Sequence, residues 1–230
     1  MKLLAFDSST LALSVACGVD GRCVVRAEHV GQGHSERLLP LVDEVLAEAG
    51  VALRDLDAIA FGAGPGSFTG VRIACGVAQG LALGAGLPLV PVPTLEALAQ
   101  TAFERHGATR VQACLDARMR EVYVAAYERH GDAWRAVAEP AVLPPAAVRT
   151  PAGGGWFGAG DGFAAYPGLA SEPGLAGVDA GIAPDAQALI TLALPRLAGG
   201  AAVSAAEALP LYVRHRVALT TAERAAGARL

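Results

Sequence analysis

Residues Ile59–Gly86, IAFGAGPGSFTGVRIACGVAQGLALGAG, decide how this chain is read. The stretch opens as an apolar strand and breaks into the glycine-rich turn Gly62-Ala63-Gly64-Pro65-Gly66. Ser67 stands where a helix N-cap is expected, and the small and apolar residues after it predict a helix from about Phe68 to Ala85. Between Ala58 and Leu95 the sole charged side chain is Arg72. A segment so poor in charge is either deeply buried or made for a partner. Within the helix Gly76, Gly80 and Gly84 recur every four residues, with Ala74, Ala78 and Ala82 on another row. Glycine inside a helix costs about 1 kcal/mol relative to alanine. Three on one face therefore imply close approach of another backbone, from this chain's own sheet or from another chain.

The glycine turn matches neither established phosphate loop. GxxxxGK[ST] needs a lysine, and the single lysine of the chain is Lys2. GxGxxG fails in both registers, because Ser67 and Thr69 stand where the third glycine belongs. Ser67 is no hydrolase nucleophile either, since GxSxG is absent. The turn and the helix dipole remain able to meet an anion, and a tight turn in the core explains the same residues. Asp7, after the buried strand Lys2–Phe6 and before two hydroxyls, likewise has two readings. It faces a phosphate or metal, or it closes an Asx-type turn on nearby amides. Asp116 repeats the arrangement after the strand Val111–Leu115. His34 has Leu38 at i+4, which suits a turn role and not a metal site. No Ser/His/Asp set, carboxylate pair or HExxH occurs.

Working outward, Leu11–Val19 and Arg22–His29 read as strands joined at Asp20-Gly21, a strong hairpin signal. Ser35 is placed to cap a helix to Ala49, with Leu38, Val42, Val45 and Leu46 as its apolar stripe and Gly50 as its stop. A strand Leu87–Val92 leads to Thr94, read as the cap of a helix ending at Gly107. The pattern then restarts: strand, aspartate, turn, and a second strand Glu121–Tyr127. Pro140–Pro184 shows only a weak strand near Trp156-Phe157, Asp185–Leu197 looks helical, and Leu209–Arg214 looks extended. A boundary near His106–Arg110 thus separates two α/β halves that begin alike, a weak internal duplication. The expected division is 1–106, 107–208 and a C-terminal segment 209–230 that packs back on the first half.

The charged fraction of 17% and formal charge of −4 over 230 residues give no basic face for free-standing nucleic-acid binding. Cys17, Cys23, Cys75 and Cys114 form no CxxC and no zinc spacing, so they read as reduced thiols in a cytoplasmic protein. Mean hydropathy is +0.41, yet the uncharged run after Arg72 is interrupted by glycines and by Pro88, Pro91 and Pro93. It is expected to be helix plus strand and not a membrane span.

Four runs, in order and over nearly the whole chain, carry a specific resemblance: HSERLLPLVDEVL (34–46), GPGSFTGVRIACGVAQGLA (64–82), LDARMREVYVAAY (115–127) and LPLYVR (209–214). They closely resemble the TsaB (YeaZ) family, bacterial proteins needed to make N6-threonylcarbamoyladenosine in tRNAs reading ANN codons. The resemblance implies an actin/Hsp70/sugar-kinase-like (ASKHA) fold of two duplicated α/β subdomains. It also implies paralogy to the catalytic subunit TsaD, whose HxxxH metal pair is here replaced by Thr94 and Leu98. No metal, no cofactor and no catalytic residue are therefore expected. The implied role is a scaffold that binds TsaD, lets the ATPase TsaE join and meets tRNA only through the complex, with a homodimer when TsaD is absent. The expected interface takes Leu38, Val42 and Val45 from the first helix and Arg72, Cys75, Gly76, Ala78, Gln79, Gly80 and Leu83 from the second. Asp7, Gly64, Gly66 and Ser67 would be a vestigial nucleotide site. The rival expectation is a small nucleotide-binding phosphotransferase or ATPase using Asp7 with the glycine loop. A peptidase lacks a nucleophile–base pair here.

Overall fold

The structure, a computed structural model, describes residues 1–214; the expected tail Ala222–Leu230 lies outside them. Two five-stranded sheets repeat one topology. The first comprises β1 (Lys2–Asp7), β2 (Ala12–Val19), β3 (Arg22–His29), β4 (Ala58–Gly64) and β5 (Leu89–Pro93). Its order is β3-β2-β1-β4-β5, antiparallel on the hairpin side and parallel on the other. The second comprises β6 (Arg110–Asp116), β7 (Val122–His130), β8 (Ala133–Leu143), β9 (Trp156–Ala159) and β10 (Leu175–Asp179). Its order, β10-β9-β6-β7-β8, is the same with every strand advanced by five. The duplication is therefore real, and Asp7 and Asp116 close equivalent strands. Within 140–184 the structure adds β10, which carried no alternating pattern to betray it.

Helix α1 (His34–Ala49) and helix α2 (Phe68–Ala85) cover one face of the first sheet. Leu38, Leu41, Val42 and Val45 of α1 and Ala74, Cys75, Ala78 and Ala82 of α2 pack there against Phe6, Val15, Cys17 and Phe61. Both helices end at a left-handed glycine, Gly50 and Gly86. The short helix α4 (Gly162–Ala165) lies on the second sheet. Helices α3 (Thr94–His106) and α5 (Ala186–Ala198) cross over between the halves. Although α3 follows the first sheet, Leu95, Leu98, Ala99 and Ala102 join the core of the second. Although α5 follows the second, Ala186, Leu189, Ile190 and Ala193 pack on the first. The crossed helices tie the two halves together, so α5 is not a part of the half in which its sequence position places it.

Two expected caps are replaced. Helix α1 begins at His34 with Gly33 as N-cap and no side-chain cap, so Ser35 is already inside the first turn. Helix α3 begins at Thr94 after Pro93, which frees the Thr94 hydroxyl for another task. Ser67 does cap α2, accepting from the Gly70 amide at 3.3 Å, and Asp185 caps α5 by accepting from the Gln187 amide at 2.8 Å. Asp185→Ala should cost about 1 kcal/mol in urea denaturation, the usual worth of an acidic N-cap. Helix α2 is long and apolar enough to cross a membrane by length and composition, but one row of it is core of the first sheet.

Candidate functional site

The glycine loop between β4 and α2 is packed against the turn that follows β1. The Ser67 amide donates to the Ser9 carbonyl at 2.7 Å, and the Ser8 hydroxyl donates to the Gly70 carbonyl at 2.8 Å. A Cβ at Gly62 would fall 1.8 Å from Asp7 Oδ2, at Gly66 2.5 Å from the Ser9 carbonyl oxygen, and at Gly70 1.9 Å from the Ser8 carbonyl oxygen. Three glycines thus make room for this chain's own backbone and carboxylate. The loop is a socket, and the Ser8–Ser9 turn already fills it.

Asp7 sits at the bottom of the socket, 1% exposed. Its Oδ1 accepts from the Ser9 amide at 2.8 Å and the Ser9 hydroxyl at 2.6 Å. Its Oδ2 accepts from the Thr94 hydroxyl at 3.4 Å, while Thr94 Oγ1 accepts from the Gly64 amide at 3.0 Å. Burial pushes the Asp7 carboxyl above the ordinary carboxylate range, opposed by the Ser9 and Thr94 hydrogen bonds and by His34. This is the Asx-type turn of the two expectations, buried and shared with Thr94. Asp7 and Gly64 are therefore closed off by the chain itself, and the expected nucleotide role for them is corrected. Gly66 and Ser67 do line open space.

A raised carboxyl has a consequence for stability. The native state holds the Asp7 proton to higher pH than the unfolded chain does, so stability falls as pH rises from the unfolded value toward the native one. Asp7→Asn, which keeps an acceptor for Ser9, should raise Tm at neutral pH. The difference should shrink as pH is lowered through the carboxylate range, as differential scanning calorimetry would show.

That open space is a cleft of about 770 Å³ between the halves. Its first wall holds Ser9, Gly31, His34 and Gly66–Gly70; its second holds Asp116, Arg118, Met119, Tyr123 and Asp161; residues 211–214 close one side. The Asp116 amide donates to Asp161 Oδ1 at 2.9 Å, and burial raises the Asp161 carboxyl. Arg118 Nη1 lies 3.2 Å from Asp116 Oδ2 in a turn where Arg118, Met119 and Arg120 all have positive φ. Three successive non-glycine residues in that region are uncommon and mark a turn held by its surroundings.

Residues 209–214, expected to be extended, strap the two halves. The Leu211 amide donates to the Ala63 carbonyl at 2.7 Å, and Arg214 Nη2 donates to Glu121 Oε2 at 2.6 Å. Arg72 Nε donates to the Tyr212 hydroxyl at 2.8 Å, and its guanidinium stacks 3.6 Å from the Phe68 ring centroid. The contacts to Ala63 and Arg72 lie on the first half, where the segment was expected to pack; the contact of Arg214 with Glu121 on the second half was not expected.

The second site is the outer ridge of α2. Gly76, Gly80 and Gly84 are exposed, and a Cβ at any of them would meet nothing within 4 Å. Leu83 is 80% exposed and Phe68 51%. On α1, Leu39, 47% exposed, and Pro40 also face outward. The expected interface set is thereby divided. Leu38, Val42, Val45, Cys75 and Ala78 are buried in this chain's own core and cannot meet a partner. Gln79 is half-buried and donates to the Ala208 carbonyl at 3.0 Å. Arg72, Gly76, Gly80 and Leu83 remain available. The expectation puts both rows at the interface; the structure turns the alanine row to the sheet and the glycine row outward. Thr94 and Leu98 are both buried, Thr94 in the Asp7 network and Leu98 in the second core. The described residues include no group of three or more His, Cys, Asp or Glu placed to hold a metal.

Comparison with known proteins follows the same lines. A family model for TsaD, tRNA N6-adenosine threonylcarbamoyltransferase, matches residues 25–157. The tRNA threonylcarbamoyladenosine biosynthesis protein TsaB of Escherichia coli (strain K12) is 43% identical over 237 residues, covering 95% of this chain and 96% of that protein. The protein of the same name from Haemophilus influenzae is 53% identical over 123 residues, 54% of this chain and 52% of its own. Among solved structures, YeaZ from Pseudomonas aeruginosa has 47% identity and a TM-score of 0.86, covering 92% of this chain and 99% of its own. A second structure from that organism, of an uncharacterized protein with similarity to peptidase YeaZ, has 46% identity and a TM-score of 0.87, covering 93% and 99%. The fold is ASKHA-like, with two duplicated α/β subdomains.

Proposed function

The chain belongs to the TsaB family of tRNA threonylcarbamoyladenosine biosynthesis proteins, and from that membership we propose that it is a non-catalytic subunit of the modification machinery. It binds TsaD, supports the entry of TsaE, and touches tRNA only through the complex, in the cytoplasm. The observation that carries this reading is the outer ridge of α2. A glycine-stepped helix face, uncharged from Gly76 to Gly84, with Leu83 exposed on α2 and Leu39 exposed on α1, allows another helix to approach closely over apolar surface. When TsaD is absent, a second copy of the chain covers the same face. The test is co-expression with TsaD: the pair should co-purify, and a bulky cation on the ridge should separate it while the protein stays folded.

The non-catalytic part rests on the socket. A phosphotransferase would need Asp7 and Gly64 open to a ligand, and both are engaged by Ser9 and Thr94. Turnover of ATP by the isolated chain, and not binding alone, separates the readings. Turnover of ATP that is lost on replacing Asp7 would favour the enzyme.

A further inference from the structure

We propose that the cleft between the halves holds a small oxyanion, the phosphate or carboxylate group of a small molecule, between the first turns of α1 and α2 and against His34. Helices of sixteen and eighteen residues both begin on this cleft. Each brings unsatisfied amides and the positive end of its dipole. They are not equivalent. Ser67 accepts from the Gly70 amide and so caps α2, whereas α1 starts at Gly33, which has no side chain with which to cap. The Glu36 amide donates to the Gly33 carbonyl at 3.1 Å, but no side chain caps α1, so the His34 and Ser35 amides lack the acceptor that a cap would give them.

The second observation is independent of the helix ends. His34 lines the cleft, is 6% exposed, and its Nε2 is buried without a hydrogen-bond partner. Buried imidazole nitrogens are normally satisfied, so an orphan among cleft-lining groups points to a partner supplied by a ligand. An oxyanion would accept from Nε2 and from the α1 amides together, in charge-assisted bonds.

The surrounding charges set the size and kind of ligand. Asp7 lies near His34, but both of its oxygens are taken by Ser9 and Thr94. Across the cleft stand Asp116, paired with Arg118, and Asp161, which accepts from the Asp116 amide. The first wall therefore favours an anion and the second disfavours one. A ligand carrying a single anionic end fits better than an extended polyanion. The volume of about 770 Å³ is in the range of small-molecule sites.

The experiment titrates the full chain with inorganic phosphate, acetate and ADP in turn, following the His34 ring resonances by NMR and Tm by calorimetry. At least one probe should bind saturably, move the His34 resonances and raise Tm. Phosphate alone, or acetate alone, identifies the class of oxyanion, and tighter binding of ADP shows that a nucleoside also fits the cleft. His34→Ala should weaken the probe that binds by about tenfold or more, as expected for loss of a charge-assisted bond. If that variant does not fold, Gly33→Asp decides. Gly33 has φ −80°, and its Cβ would meet only Val30, at 3.3 Å from the carbonyl oxygen. The new carboxylate would stand beside the α1 amides and repel the anion from them, so probe binding should disappear. The proposal is overturned if no probe binds saturably, or if binding is the same in both variants as in the parent.

Discussion

Gly70→Ala is expected to lower the unfolding free energy by more than about 3 kcal/mol, while Gly76→Ala in the same helix raises it by up to about 1 kcal/mol. The two positions lie less than two turns apart on one helix. The difference lies in what each would strike. At Gly70 a Cβ meets the backbone carbonyl of Ser8 at 1.9 Å, and that carbonyl belongs to the turn anchored by Asp7. Relief requires the β1–β2 turn to move. The Ser8–Gly70 and Ser67–Ser9 hydrogen bonds would then go, each costing about 1–3 kcal/mol when its groups stay buried. Against a total stability of about 5–15 kcal/mol, that is a large share. At Gly76 the Cβ enters open space, so only the helix propensity of alanine is felt. Urea denaturation of the two variants beside the parent gives both signs. Equal effects would mean that the loop and the turn are not packed as described.

The second large effect is on assembly. Gly80→Arg should leave the unfolding free energy within the usual spread for surface changes, about ±0.5 kcal/mol, and weaken association with TsaD by 100-fold or more. A guanidinium on the glycine row holds the partner backbone away from the helix and carries a charge into an apolar contact. A loss of about 3 kcal/mol at the centre of an interface amounts to a factor above 100. Ala78→Arg is the instructive control. Ala78 looks adjacent in sequence, but it is fully buried against the first sheet, so this change should unfold the protein. Loss of binding in Ala78→Arg would therefore say nothing about the interface.

Both predictions rest on distinctions that the sequence shows only in part. The helix Phe68–Ala85 and its Ser67 cap were legible, because caps are local signals. The duplication was legible too, since each half opens with a strand, an aspartate and a turn. What could not be read is which face of a helix meets which surface. An uncharged helix with glycine and alanine rows gives no polar face to set the phase, so Cys75 and Ala78 were placed outward when they point in. The reason for Gly62, Gly66 and Gly70 lies in Asp7, Ser8 and Ser9, more than fifty residues away. Thr94 reads as a helix cap, and only the fold brings it to Asp7 and Gly64. The crossed helix α5 shows its burial in its composition but not its host sheet. The strap is the same kind of case. Tyr212 meets Arg72 across 140 residues, and no pattern of either segment announces it.

The central claim, that this chain organises a partner and performs no chemistry of its own, is tested most directly by reconstitution. TsaD and TsaE, with TsaC as the further protein of this modification, are combined with unmodified tRNA and their substrates, and the modified adenosine is measured without this protein, with it, and with its Gly80→Arg variant. The account predicts product only in the presence of the parent protein, with the variant close to the level seen in its absence. Full product without the protein, or undiminished product with Gly80→Arg, would contradict it.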